Sequence, residues 1–99
     1  MMDGLVSGRV FGDPEQRRGK GDTPFVLAKV HAAAPDGETV VVNVICFDAA
    51  ASAALLALRD GDAVAVAGGI TPKVWTDKQG NTRPALDMVA QRVLAVQAP

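Results

Sequence analysis

The segment with the clearest chemical potential is residues 73–83, with the sequence KVWTDKQGNTR. It contains the only tryptophan of the chain, Trp75, together with the three cations Lys73, Lys78 and Arg83. The polar residues around Gly80 predict a hairpin loop in which Gly80 adopts a positive φ angle. A flat aromatic ring among cations on a projecting hairpin suits stacking on nucleobases and neutralisation of phosphates.

The charge of the whole chain does not by itself favour a polyanionic partner, since the formal net charge is -1 at pH 7. Its distribution is uneven, however. Residues 36–62 hold five anions and one cation, a net charge of −4, whereas residues 73–83 hold three cations and one anion, a net charge of +2. Residues 15–29 also have a net charge of +2, with two anions and the four cations Arg17, Arg18, Lys20 and Lys29. A basic face opposite an acidic one and a mixed solvated surface are both compatible with this pattern.

The size and composition predict one soluble globular domain that spans residues 1–99. Cys46 is the only cysteine and His31 the only histidine, so neither an internal disulfide nor a metal cluster with usual spacing is expected, and no cofactor is predicted. Cys46 lies in an apolar run and is expected to be a small buried residue. Neither a transmembrane run nor a secretory signal is recognisable, and a cytoplasmic location is therefore predicted.

Alternating and β-branched runs predict strands, which turn residues separate. The strands are predicted at residues 5–11, 25–31, 39–47, 63–70, 73–77 and 82–89, with 92–96 as a last strand or extension. The sequence Gly12-Asp13-Pro14 is expected to end the first strand, and residues 15–23 are expected to form a mobile loop. Gly68 and Gly69 indicate a bulge or a close backbone approach in the fourth strand.

Residues 48–59 are rich in Ala and Leu and predict the one helix, with Asp48 as its N-cap and Gly61 after its end. Leu55 and Leu58 lie one turn apart and share a helical face. The predicted order is three strands, a helix and then two strands. One short helix between the third and fourth strands of an otherwise all-β chain predicts a five-stranded OB-fold barrel. A small α+β sandwich is the alternative.

The third strand has two distinct faces. With a period of two, Val41, Asn43, Ile45 and Phe47 share one face, and the polar Asn43 indicates that this face is partly wet. Phe47 is equally compatible with a stacking role and with a core position. Phe11 and Phe25 are expected to be core or packing residues.

Several segments together resemble the bacterial single-stranded DNA-binding proteins, with the primosomal replication protein N as a related member of the group. The similar segments are Gly8-Arg9-Val10 followed by Asp13-Pro14-Glu15, Phe25-Val26-Leu27-Ala28, Phe47-Asp48 before the helix, residues 58–68, and Trp75-Thr76-Asp77-Lys78-Gln79-Gly80 with Arg83. Each motif is loose alone, but their order and spacing cover nearly the whole chain.

The resemblance implies an OB-fold homodimer or homotetramer that binds single-stranded DNA during replication, recombination or repair, without reading base sequence. It implies stacking by Trp75 and Phe47. It further implies phosphate contacts by Lys73, Lys78 and Arg83, with Arg9 facing the same groove. Asn43 on the partly wet face joins this candidate surface. Arg17, Arg18 and Lys20 are expected either to clamp phosphates or to form a solvated loop.

Two departures from the family pattern affect the expected strength and partners of binding. The family's aromatic residues near the end of the second strand and the start of the third correspond to Ala33 and Val41. Because stacking contributes roughly 1–3 kcal/mol per base, losing both would weaken binding by about 2–6 kcal/mol. The family's acid-tipped tail is not found before Pro99, so recruitment of partners through such a tail is not expected.

Catalysis is not expected, because the chain shows neither a nucleophile elbow nor a glycine-rich phosphate loop. Two hypotheses remain open. One is a single-stranded nucleic-acid binder without sequence preference. The other is an OB-fold subunit for protein interaction or primosome-type assembly, with weak or no nucleic-acid binding. Quenching of Trp75 fluorescence by oligo-dT distinguishes them.

Overall fold

The computed structural model describes residues 2–96, which form five strands and one α-helix. In chain order these elements are β1 (Met2–Arg18), β2 (Pro24–Ala33), β3 (Thr39–Cys46), α1 (Ala49–Leu56), β4 (Ala63–Thr76) and β5 (Thr82–Val96), with one 3-10 turn (Lys20–Asp22) before β2. The predicted order of three strands, a helix and two strands is confirmed. Within residues 2–96, no helix is long and apolar enough to cross a membrane.

The five strands close into a barrel in the order β1-β2-β3-β5-β4. Neighbouring strands are antiparallel, except that β3 and β5 run parallel. The long β1 strand makes closure possible, because its first half pairs with β4 and its second half pairs with β2, with Arg9 taking part in both pairings. This is the predicted OB-fold architecture, in which closure satisfies the strand edges that a Val-rich sheet would otherwise expose.

The core is built from small aliphatic side chains on alternate strand positions. Val30, Val42 and Val44 are no more than 2% exposed, and the residues next to each of them along its strand face outward. Cys46 is fully buried, which confirms its prediction as a small core residue. Helix α1 covers one end of the barrel with Leu55, which is also fully buried.

The start of α1 is fixed by Asp48, whose Oδ2 accepts a hydrogen bond of 2.9 Å from the backbone N–H of Ala51. This confirms the predicted N-cap. The helix ends at Leu56, earlier than the predicted residue 59. Beyond it, the Asp62 carboxylate accepts from the Arg59 backbone N–H at 2.8 Å, and Gly61 has a φ of 89°. This hydrogen bond and the positive φ of Gly61 make the 59–62 segment a tight turn, which does not continue the helix.

The prediction that β1 ends at Phe11 is wrong, because β1 continues to Arg18 through a β-bulge between Phe11 and Glu15. Gly12 has a φ of 73° in this bulge. Pro14 lies among the unpaired residues of the bulge, where its missing backbone N–H removes no ladder hydrogen bond. The 59–62 turn holds the bulge in place, since the backbone N–H of Gly12 donates to the Asp60 carboxylate at 2.7 Å. The predicted mobile loop at 15–23 is therefore also wrong for residues 15–18, which pair with β2.

The β4–β5 hairpin extends well beyond the barrel wall. Its register shifts between Ala67 and Gly68, which confirms the bulge predicted from the glycine pair. A side chain at Gly68 would overlap the backbone carbonyl of Val89, so the close approach of β4 and β5 requires glycine there. Farther along the hairpin, Trp75 pairs with Arg83, and Gly80 in the loop has a φ of 83°, as predicted.

Candidate nucleic-acid interface

The outward-facing residues of β2 and β3 form a continuous surface on one side of the barrel. In the antiparallel ladder, His31 lies opposite Val41 and Lys29 lies opposite Asn43. Lys29 and Asn43 are exposed, whereas the residues directly before and after each of them are buried. The predicted division of β3 into a core face and a partly wet face is therefore confirmed.

This surface deepens into a depression of about 580 Å³ where β1 and the β4–β5 hairpin rise beside it. We call this depression the groove. Its lining contains the rings of Phe11, His31 and Trp75, the cations Lys29 and Lys73, the polar Asn43 and Asp87, and the small side chains Val41, Val74 and Ala85. The groove thus brings the predicted residues Trp75, Lys73 and Asn43 together with three residues that the sequence did not assign to it: Phe11, His31 and Lys29.

Trp75 is exposed, with 43% of its surface accessible to solvent. Among residues 2–96 no other aromatic ring stacks on it. Its indole therefore lines the groove with a face available for stacking, which agrees with the exposed position predicted for it.

Of the two roles expected for Phe11, core or packing, the core position is wrong, since Phe11 is 56% exposed. The reason is strand alternation. Val10 is only 2% exposed and points into the barrel, so its neighbours Arg9 and Phe11 both point outward. The sequence carried this signal, because Phe11 is two residues after Arg9, which the family resemblance directs toward the groove.

His31 supplies a further aromatic ring, which the sequence did not assign to this surface. Its imidazole stacks on the Phe11 ring, with ring centroids 4.3 Å apart and planes inclined by only 14°. His31 lies opposite Val41 and two residues before Ala33, the two positions at which aromatic residues were expected to be missing. The end of β2 therefore carries a flat ring after all, at a neighbouring position.

A second aromatic pair lies at the other end of β2. Phe47 is 54% exposed, and its ring centroid is 5.9 Å from that of Phe25, with planes inclined by 46°. Phe25 is half-buried, in keeping with a packing role rather than a fully buried core position. Since a strand rises about 3.3 Å per residue, the six residue steps from Phe25 to His31 separate these two side chains by roughly 20 Å along β2.

The predicted phosphate-binding cations fall into two groups. Within residues 2–96, the lysines make no ion pair; these are Lys20, Lys29, Lys73 and Lys78. The arginines named for the site are each bound to another group: Arg17 to Glu15 at 2.9 Å, Arg18 to Asp22 at 3.4 Å, Arg83 to Asp77 at 3.4 Å, and Arg9 to the carbonyl oxygen of Gly61 at 3.0 Å. The lysines are thus the more readily available partners for a polyanion.

Arg17 and Arg18 were predicted in a mobile loop, but they lie at the end of β1. Lys20 alone of that cluster lies outside a strand, in the 3-10 turn. The proposed phosphate clamp is therefore more rigid than the sequence suggested.

Asp77 organises the tip of the hairpin. Its Oδ1 accepts hydrogen bonds from the backbone N–H groups of Asn81, at 2.9 Å, and Gln79, at 3.0 Å. The bond from Asn81 is the main cause that lowers the pKa of Asp77, with further lowering by Gln79 and by the guanidinium of Arg83. The ionised carboxylate therefore fixes the loop and holds Arg83 beside it.

Asn43 and Asp87 meet at the centre of the surface, where Asn43 Nδ2 donates to Asp87 Oδ1 at 3.3 Å. No group of three or more His, Cys, Asp or Glu residues that could hold a metal ion occurs among residues 2–96. The chemistry of this surface is that of aromatic rings, ammonium groups and a few polar side chains.

The OB barrel has exposed aromatic rings and unpaired lysines on its outer face. This combination is typical of the oligonucleotide-binding barrels and assigns the protein to that class. The family model of the single-strand binding protein family matches residues 1–96. The chain therefore belongs to the single-strand binding protein family, as its motifs indicated. A search of curated proteins finds no match.

Solved structures support the fold. The chain is similar to the small single-stranded DNA-binding protein from Streptomyces coelicolor, with a TM-score of 0.75 and 21% identity over 96% of this chain and 94% of that one. It is also similar to the mitochondrial single-stranded DNA-binding protein Rim1 from S. cerevisiae, with a TM-score of 0.72 and 16% identity over 99% of this chain and 97% of that one.

Proposed function

We propose that this protein binds single-stranded DNA in the groove, by stacking and phosphate neutralisation and without a requirement for base sequence. The observation that carries the proposal is Trp75, an exposed indole that lines the same depression as Lys29 and Lys73. Every base has a π-face, so an indole stacks on any of them, and ammonium groups contact the backbone that all sequences share.

In the proposed mechanism the single strand associates reversibly with the protein. Two aromatic regions stack bases, and cations between and around these regions contact phosphates. Trp75 stacks one base in the groove, and Phe47 stacks another beside Phe25, at the far end of β2 from His31. Lys73 and Lys78 neutralise phosphates next to Trp75, and Lys20 does so near the Phe47 end. Arg83, Arg17, Arg18 and Arg9 contribute when a phosphate replaces their present partners.

Titration of the protein with oligo-dT tests the proposal. Stacking of a base on Trp75 is expected to quench its fluorescence, and replacement of Trp75 by Leu is expected to weaken binding about 5- to 150-fold, which corresponds to roughly 1–3 kcal/mol. Thr76→Ala is a matched control, because Thr76 is the neighbouring exposed residue on the same hairpin strand and does not line the groove. It should change the affinity little. Absence of both quenching and a mobility shift at low salt would refute the proposal.

We also propose that the protein is a homodimer or homotetramer. Leu5 and Leu94 are 70% and 65% exposed, and they flank Ala65 and Ala67 on the outward face of β1, β4 and β5. An apolar face of this kind favours association. Light scattering coupled to gel filtration tests it: Leu94→Asp is expected to lower the measured mass, and a wild-type mass equal to one chain would contradict it.

The same face favours the second candidate function, that of a subunit for protein interaction or primosome-type assembly. A stable oligomer that binds no oligonucleotide, with Trp75 emission unchanged by DNA, would support this candidate over the first. The cytoplasmic location predicted from the sequence stays a prediction, which cell fractionation tests.

A further inference from the structure

We propose that the stacked pair of Phe11 and His31 is a base-binding site of its own, at the opposite side of the groove from the hairpin. The inference rests on the proposed function of the groove. It adds a stacking position that neither the motifs nor the expected aromatic positions Ala33 and Val41 indicate.

Single exposed apolar residues are common on protein surfaces, so the exposure of Phe11 alone does not indicate a binding site. Its position in the groove does indicate one. Its ring is 56% exposed, yet it lines the same depression as Trp75, Lys29 and Lys73. The barrel core consists mainly of Val and Ala, so the fold places one of its few large aromatic rings in the groove instead of the interior.

The geometry of the pair prepares the Phe11 ring for stacking. His31 contacts it almost in parallel, with centroids 4.3 Å apart, and thereby limits its rotation. His31 itself belongs to the central strand of three, paired with Arg9 of β1 and Val41 of β3. A ring that is already oriented loses little conformational freedom on binding, which favours affinity.

A phosphate partner lies next to this pair. Lys29 is directly opposite Phe11 in the ladder between β1 and β2, and opposite pairs in such ladders have Cβ atoms about 5 Å apart. A nucleotide that stacks on Phe11 therefore has its phosphate within reach of the Lys29 ammonium. Phe11, His31 and Lys29 together reproduce on the barrel wall the combination of ring and cation that Trp75 and Lys73 form on the hairpin.

The expected ligand is any nucleobase of a single strand that also contacts Trp75. Two stacking positions across one groove hold successive bases of the same strand, so the site offsets part of the loss expected from Ala33 and Val41. No base preference follows from a phenyl ring and an imidazole, in keeping with sequence-tolerant binding.

A relocated tryptophan tests the site directly. In a Trp75→Phe background, Phe11→Trp places the sole indole at the proposed position, and oligo-dT is expected to quench its emission. In the same background, Ala53→Trp is the matched control, because Ala53 is an exposed residue of α1 that does not line the groove and lies outside the apolar face of Leu5 and Leu94. Its emission should change little. Circular dichroism checks that each variant is folded.

Affinity gives a second readout. In the otherwise native chain, Phe11→Leu is expected to weaken oligo-dT binding about 5- to 150-fold, the range for loss of one stacked base, whereas Phe11→Trp should retain binding. If the native protein binds but Phe11→Leu binds equally well and the relocated tryptophan is not quenched, this inference is overturned and the proposed function stands. If the native protein does not bind oligo-dT, both are overturned.

Discussion

The dependence of DNA affinity on salt follows from the ion pairs of this surface. Four lysines (Lys20, Lys29, Lys73 and Lys78) make no ion pair within residues 2–96, whereas Arg17, Arg18 and Arg83 are each paired with a carboxylate. A cation that already neutralises a carboxylate must give it up before it contacts a phosphate. We therefore expect the lysines, rather than the arginines, to determine the number of phosphates neutralised.

The magnitude follows from counterion release. Each phosphate contact on a single strand contributes about −0.7 to the slope of log K against log salt concentration, so four lysines give a slope of about −2.8. Affinity should then fall about 50-fold between about 50 and about 200 mM salt. Removal of one contact by Lys73→Gln should bring the slope to about −2.1.

Fluorescence anisotropy of a labelled oligo-dT at several salt concentrations measures this slope. Arg92→Gln is the matched control, since it removes one positive charge from an exposed residue that does not line the groove. It should leave the slope near that of the native protein. Equal slope changes in Lys73→Gln and Arg92→Gln would mean that only net charge matters, and the assignment of Lys73 to a phosphate would be refuted.

Further predictions concern the hairpin and the core. Asp77→Asn should release Arg83 and steepen the salt slope by about 0.7, measured with the same anisotropy assay; an unchanged slope would mean that Arg83 does not reach a phosphate. Because the folded state lowers the pKa of Asp77 below its ordinary value of 3.8, the loop stabilisation it provides should be present above that value and lost as the pH falls through the lowered pKa. Amide NMR shifts of Gln79 and Asn81 report this titration, and shifts that do not move with acid would contradict it. Leu55→Ala, at a fully buried position, should reduce the free energy of unfolding by about 2–5 kcal/mol in urea denaturation, and a loss below about 1 kcal/mol would show that α1 packs loosely on the barrel.

Local patterns were sufficient to predict the fold where each element had its own signal. The Asp48 cap, the bulge at Gly68 and the positive φ of Gly80 were all predictable, because each depends on the chemistry of one or two residues. The Gly12-Asp13-Pro14 segment was misassigned because the same residues end a strand or form a bulge within it. Which occurs depends on the contact between Gly12 and Asp60, 48 residues away in the chain.

The candidate site was predictable only on the hairpin. Trp75 and Lys73 are neighbours in sequence, so their joint chemistry was visible there. Phe11, His31 and Lys29 come together only through the ladder between β1 and β2, in the part of β1 that precedes the bulge. The alternation of Arg9 and Phe11 was the one available signal, and it was outweighed by the general tendency of phenylalanine to be buried.

The parallel pairing of β3 with β5 has a consequence for how this protein is made. It joins residues such as Asn43 and Asp87 that are 44 positions apart in the chain, whereas the β4–β5 hairpin joins close neighbours. Hairpins form in about 1–10 μs, while all-β domains that depend on distant pairings fold in milliseconds to seconds. We expect Trp75 to reach its hairpin environment early in folding, well before the parallel ladder closes. The groove does not exist until the distant strand pairings have closed, so a newly synthesised chain should acquire a native-like tryptophan signal before it acquires any affinity for DNA.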